Sequence, residues 1–440
     1  MSLTETPRTV FRRIFLVWMG WLAIMLAFQA IVSMRLSLAR PDFALEWTQT
    51  ETLASSQAGK TFLLEPFLNE HVSWDSEYYL AIAVSGYEAE TIHRINAVFG
   101  SAQTGGGYWP FIIPTGLAGT QGISLSYAFF PMYPLAIRVL ALPLSVFGMN
   151  PIATASLAGV LVSALGALAA MYALYHFAYP ELGEEGGMRA AFYLLIFPSG
   201  FFLAQIYTEG LFIGLAFSSL LLMRRGRLGW AAVLAVLATF TRAVGVALSI
   251  PLLIAWIREG DWRELDMEWR QIYFNGIPWR IVGRGLLALS PLIAFFLWRL
   301  SYYGFAFNKV EEEFFGRGLL SLGYMFGAWR EGFRAVLGDN PQASAYYLIE
   351  WAGVLLGFTA CITGFKRHPD LALFGLLVVF LSFTSGPAQG MHRYILAAPP
   401  VFLFLSRLGK NQAFDRGWTI LSILLMGMLA TLFSFDMWTG

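Results

Sequence analysis

The sequence predicts an all-α, polytopic membrane protein, and three observations carry that prediction. Of the 440 residues, 57% are hydrophobic and 13% charged, about half the ~25% charged share of a soluble chain. A water-soluble fold cannot cover itself from that stock, which excludes a cytosolic enzyme or a secreted domain. The second observation is a series of long apolar runs near the ~20 residues that cross a bilayer as helix. The third is the 16% aromatic content with 15 Trp, the rings that anchor membrane–water interfaces. A mean hydropathy of +0.60 agrees.

The first run, Ile14–Met34, follows Arg8, Arg12 and Arg13. It exceeds the roughly 7–15 residues of a cleavable signal and reads as a retained signal-anchor with a cytoplasmic N-terminus. Further runs fall at 152–177, 188–206, 209–223, 229–240, 243–257, 282–303, 345–365, 370–385, 393–407 and 417–437, giving about 11 spans, several of them short. The 152–177 run is crowded with Ala, Gly and Ser, which lets neighbouring helices approach closely. The whole chain, 1–440, reads as one integral membrane domain: 14–34 the first span, 35–151 a large first external loop with interfacial helices, 152–303 a transmembrane core, 304–344 a second external loop, and 345–440 the C-terminal spans. In that second loop Leu322, Phe326, Trp329, Phe333 and Val336 share a face opposite Arg330, Glu331 and Arg334, the pattern of an amphipathic interfacial helix.

Ser126–Gly148 is apolar enough to cross but contains Pro131, Pro134, Pro143 and Arg138. If it crosses, Arg224, Arg225 and Arg227 land outside, against the positive-inside rule. Laying it along the outer interface returns that cluster to the cytoplasm with Arg258–Arg284, Lys366–Arg367 and Arg407–Arg416, and is the expected placement. Runs 229–240 and 243–257 are then two short spans meeting at an outer turn around Thr241–Arg242. Four polar clusters share the outer side: His71–Tyr79, Tyr207–Glu209, Thr241–Arg242 and Ser385–Tyr394. Polar residues at membrane depth are costly and usually functional.

The net charge of +1, from 29 basic and 28 acidic residues, gives no polyanion-binding balance, and nucleic acid is not expected as a partner. The one cysteine, Cys361, excludes an internal disulfide and any Cys-based metal or redox motif. In His71-Val-Ser-Trp74-Asp75-Ser-Glu77-Tyr78-Tyr79 a carboxylate stands among aromatic rings, a setting for a general base; an interfacial aromatic helix with an incidental acid has the same pattern. Asp75 and Glu77 form a D-x-E pair that leaves a divalent cation open, and no cofactor is assigned.

Trp74-Asp75-x-x-Tyr78-Tyr79-x-x-Ile82-Ala83-x-x-Gly86-Tyr87 resembles the first-loop signature of the PIG-V family, whose eukaryotic members are mannosyltransferases of GPI-anchor synthesis. The likeness continues through Phe129-Phe130-Pro131-Met-Tyr133-Pro134, Tyr207-Thr208-Glu209, Leu237–Gly245 around Thr241-Arg242, and His392-Arg393-Tyr394-Ile-Leu-Ala-Ala-Pro399. After the Arg of Thr241-Arg242, where the family usually has Pro, this chain has Ala243. The resemblance implies a GT-C bundle and a sugar, mannose by analogy, carried on a prenyl phosphate to a glycolipid or glycan acceptor at the extracytoplasmic face. It makes Asp75 the base of an inverting transfer, with Trp74, Tyr78 and Tyr79 beside it and Glu209 as second acid on sugar hydroxyls or a metal. Glu209 equally suits a helix N-terminus. The leaving phosphate requires fixed positive donors, for which Arg242 and Arg393 are candidates with His392 assisting; as alternatives, Arg242 snorkels to the interface and Arg393 ends a helix. A secondary transporter or flippase is the rival class, with ionisable groups at mid-span and inverted repeats. No P-loop sequence occurs, so ATP-driven transport is not expected. Compact loops and no retention signal suggest a bacterial plasma membrane.

Overall fold

The computed structural model describes residues 7–38, 40–53, 55–99, 119–259 and 279–440. Leaving out single helical turns, the first part of the chain forms α1 (Pro7–Arg35), α2 (Ser76–Val84), β1 (Arg94–Phe99), β2 (Gly119–Ser124) and α3 (Met132–Leu144). The middle forms α4 (Pro151–Ile196), α5 (Glu209–Arg224), α6 (Leu228–Thr239), α7 (Ser249–Glu259) and α8 (Trp279–Arg299). The last part forms α9 (Tyr302–Glu313), α10 (Leu322–Val336), α11 (Pro341–Gly364), α12 (Pro369–Phe383), α13 (Pro399–Leu408) and α14 (Gln412–Ser434). Among the described residues, five helices are long and apolar enough to cross a membrane (α1, α4, α8, α11 and α14), with shorter apolar helices beside them. The chain is an all-α, polytopic integral membrane protein. Much of the basic 258–284 segment lies outside the described residues.

Three apolar runs differ from their sequence reading, each for a backbone reason. Gly183, at φ 69° and ψ −168°, breaks α4 into two helices. The second ends at Ile196, so 188–206 is not one span: Pro198 removes a backbone donor and holds Phe197 extended, at ψ 146°. Residues 200–204 then form tight turns that carry the chain to the cluster described below. Run 243–257 opens with a 3-10 segment, Ala243–Leu248, before α7. Run 393–407 is α-helical only from the Pro399-Pro400 start of α13, where proline at the first turn loses nothing. The first loop also holds a feature the sequence reading lacked, an antiparallel β1–β2 pair with Arg94 opposite Ser124. Two six-residue strands are too short to stand out among the apolar runs.

The 13-residue α3 spans about 20 Å at 1.5 Å per residue, short of a ~30 Å hydrocarbon core. Its Arg138 donates to the carbonyls of Ala83 (2.8 Å) and Ile82 (3.1 Å), tying α3 to the end of α2. At the centre, α4 and α5 touch backbone to backbone. A Cβ on Gly210 would lie 2.1 Å from the Ser163 carbonyl oxygen, and one on Gly166 2.2 Å from that of Gly210. This contact fixes the start of α5, where Glu209 stands.

At the other end of α5 the charges form a network. Arg224 grips Asp370 with two hydrogen bonds of 2.6 Å, Arg407 grips Glu181 with two of 2.7 Å, Arg367 approaches Glu181 to 3.3 Å, and Arg13 pairs with Glu184. These segments are the ones the charge rule assigns to one side of the membrane. An open groove of about 810 Å³ lined by Gly226, Arg227, Trp230, Val233, Arg284 and Leu287 also lies at this end.

Candidate active site

Asp75 stands at the N-cap position of α2, yet its side chain makes no capping hydrogen bond. The turn before it is held from several directions. Trp74 has a left-handed backbone, φ 49°, unusual for a bulky residue and often tied to function. The Asp75 N–H donates to the Tyr207 hydroxyl (3.3 Å), which donates to the Ser73 carbonyl (3.2 Å). The Ser76 hydroxyl donates to the Ile206 carbonyl at 3.1 Å. The buried His71 has its Nδ1 3.1 Å from the Ala204 carbonyl and 3.0 Å from Gln205 Oε1. Both are acceptors, so Nδ1 carries the hydrogen, and burial holds the ring's pKa down. The first loop is thereby stitched to the segment leading into α5.

Released from capping, Asp75 faces Arg393. Arg393 Nη1 donates to Asp75 Oδ2 at 3.3 Å, and its Nε lies 3.3 Å from Glu209 Oε1. Arg242, just past α6, also pairs with Glu209. Rings wall the guanidiniums. The Arg393 Cζ lies 5.3 Å from the Phe202 centroid, 5.2 Å from Tyr207 and 5.1 Å from Tyr394, and the Arg242 Cζ lies 4.7 Å from Tyr394. Four segments far apart in sequence thus supply one array, Asp75–Arg393–Glu209–Arg242, in surroundings poor enough in water to strengthen each charge interaction. Glu209 is 2% exposed and the Asp75 side chain 27%. One oxygen of each acid stays unused: Glu209 Oε2 is buried without a partner, and Asp75 Oδ1 accepts no hydrogen bond among the described residues.

The other expected residues sit farther out. Trp74 packs edge-on against Trp47 and Trp438, centroids 5.7 and 5.1 Å away, and its indole N–H donates to the Met437 carbonyl at 3.4 Å. Tyr78 stacks on Phe129 at 4.5 Å, and the buried Tyr79 meets Phe129 and Tyr133 edge-on. His392 faces away from the array, with its Nδ1 3.2 Å from Glu350. Glu77 is buried near Lys60, Asp436 and Glu51; burial, aided by Asp436 and Glu51 and opposed by Lys60, raises its pKa to about 7. Among the described residues no group of three His, Cys, Asp or Glu side chains is placed to hold a metal ion.

Sequence reasoning missed three residues. Glu350, wholly buried in α11, accepts the backbone N–H groups of Gly390 (2.6 Å), Met391 (2.7 Å) and His392 (3.2 Å), clamping the turn that carries Arg393. As the one charge in the 345–365 run, it carried a readable signal. Arg317 donates to the Tyr394 hydroxyl at 2.8 Å, and Glu311 lies near Arg317 and Asp75, with burial raising its pKa to about 7. Both come from the mixed 304–344 loop, where nothing in the sequence marks them.

No family model matches this chain, and no curated protein does. Among solved structures it is distantly similar to the oligosaccharyltransferase AglB of the archaeon Archaeoglobus fulgidus. The apo form aligns with a TM-score of 0.41 at 13% identity over 96% of this chain and 56% of that one. The form in complex with an inhibitory peptide and a dolichol-phosphate aligns at 0.38 and 14% identity, over 94% and 55%. This chain therefore spans about half the length of the structures it matches.

Proposed function

We propose that the protein is an inverting membrane glycosyltransferase of PIG-V type. It moves a sugar, mannose by resemblance, from a prenyl-phosphate donor to a lipid-linked or glycan acceptor on the extracytoplasmic face of a plasma membrane. The observation that carries this reading is the array Asp75–Arg393–Glu209–Arg242 with its two unused carboxylate oxygens. Buried polar atoms are ordinarily partnered, so the orphaned Glu209 Oε2, with the partly exposed Asp75 carboxylate open beside two arginines, suits a substrate with hydroxyls and a phosphate.

In this reading Asp75 takes the proton of the acceptor hydroxyl as that oxygen bonds to the anomeric carbon. The bond from that carbon to the phosphate oxygen breaks, and prenyl phosphate leaves with the electron pair. Arg393 steadies the base, Arg393 and Arg242 answer the charge gathering on phosphate, and Glu209 accepts sugar hydroxyls. Such preorganised charges are usually the largest contribution to catalysis. Tyr78 and Tyr79 shape the wall with Phe129, Trp74 holds the Asp75 turn, and His392 supports the Arg393 turn.

The test incubates purified protein with radiolabelled prenyl-phosphate-linked sugars and extracted glycolipids. Label should reach a glycolipid as prenyl phosphate is released in equal amount. Donor carried intact across proteoliposomes without cleavage would identify a transporter instead.

A further inference from the structure

The loop between α9 and α10 is seated on the segment that carries Arg393. The Gly318 N–H donates to the Ser385 carbonyl at 2.8 Å, and that of Ser321 to the Thr384 carbonyl at 2.9 Å. The Arg317 N–H donates to the Glu311 carbonyl at 2.8 Å, turning the Arg317 side chain toward Tyr394. Its Nη1 reaches the Tyr394 hydroxyl at 2.8 Å, and its Cζ lies 5.7 Å from the ring centroid. Arg393 Nη2 donates to the same hydroxyl at 3.3 Å. A continuous chain, Asp75–Arg393–Tyr394–Arg317, thus runs from the carboxylate to the loop.

The three arginines around Tyr394 differ in what they already hold. Arg242 is paired with Glu209, and Arg393 with Asp75 and Glu209. Arg317 has no carboxylate within ion-pairing distance among the described residues; its side-chain hydrogen-bond partner is the Tyr394 hydroxyl. An arginine has five N–H donors in a planar fork, so most of those on Arg317 are unspent, and the side chain is partly exposed. A fork of this kind, at the edge of a site and free of carboxylate, matches the oxygens of a phosphate.

We propose that Arg317 binds the phosphate of the prenyl-linked donor and of the prenyl phosphate released, the loop between α9 and α10 delivering it over the site. This rests on the glycosyl-transfer reading above. Glu311 makes no ion pair with Arg317, and burial, opposed by the Arg317 charge, raises its pKa to about 7. Tyr394 positions both guanidiniums rather than touching the reacting atoms.

The experiment measures binding of geranylgeranyl phosphate, geranylgeraniol and inorganic phosphate to the purified full chain in detergent by thermophoresis. Wild type should bind the phosphate ester well above the alcohol. Arg317→Ala should weaken the ester about tenfold or more, as loss of a charge-assisted hydrogen bond implies, and Arg317→Lys should weaken it less. The alcohol should bind alike in all three. Equal ester binding by Arg317→Ala, or an equal loss for ester and alcohol, would overturn the proposal and make Arg317 a loop staple. If Arg317→Ala does not fold, the ester-to-alcohol ratio in Arg317→Lys and Arg317→Gln decides, and a ratio unchanged from wild type refutes it. Inorganic phosphate binding as tightly as the ester would assign the fork to free phosphate and refute the donor role. Wild type with no preference for ester over alcohol would refute the glycosyl-transfer reading itself, and this proposal with it.

Discussion

Arg393 touches two carboxylates at once, and its position depends on a third that never meets it. Glu350 receives three backbone N–H groups of the turn from Gly390 to His392, and hydrogen bonds to a charged group are worth about 1.5–3 kcal/mol each. Glu350→Gln keeps one acceptor oxygen and offers the turn a donor instead of the other. It should lower the thermal midpoint in detergent and cut turnover while leaving Asp75 intact; an unchanged midpoint and rate would show that the turn holds itself. Glu77 gives a pH prediction. Burial raises its pKa from 4.5 to about 7, so the folded chain holds that proton more tightly than the unfolded chain. Stability from this group is full below about pH 4.5 and is lost as pH rises to 7 and beyond. Limited proteolysis of the first loop should be faster at pH 8 than at pH 5.5, and Glu77→Gln should flatten that difference. The same slope in the variant would assign the effect to another group.

At the scale of elements, the tightest constraint is the crossing of α4 and α5. Gly210→Ala places a methyl about where the Ser163 carbonyl stands, so the helices must part and Glu209, the preceding residue, must shift. Overpacking of this kind costs roughly 1–3 kcal/mol, and turnover should fall with the thermal midpoint, whereas Gly229→Ala, with open space around it, should do neither. Orientation is tested at the opposite end of α5. With Cys361→Ser as background, a cysteine at 226 should react with an impermeant maleimide only once the cytoplasmic side is opened. Labelling of intact cells at 226 would reverse the topology and return 126–148 to the membrane.

Over the whole molecule, what sequence made legible was what composition and short-range pattern control. The amphipathic helix at Leu322–Val336 and the short α6 appear within a residue of the expected limits, because apolar periodicity is a local signal. The polar clusters at 71–79, 207–209, 241–242 and 385–394 were visible as interruptions of apolar sequence, and the fold brings Asp75, Glu209, Arg242 and Arg393 into one array. What stayed hidden depends on backbone direction and long-range pairing. His392 and Arg393 are adjacent yet face opposite ways, and Arg317 reaches the site only because its loop docks on Thr384 and Ser385. The most direct measurement of the central claim is single-turnover sugar transfer by purified wild type and Asp75→Asn at saturating donor. The amide keeps the shape but cannot take the acceptor proton, and loss of a general base costs roughly 10²–10⁴ in rate. The reading predicts a fall of that size with prenyl-phosphate binding unchanged; transfer at the wild-type rate would contradict it.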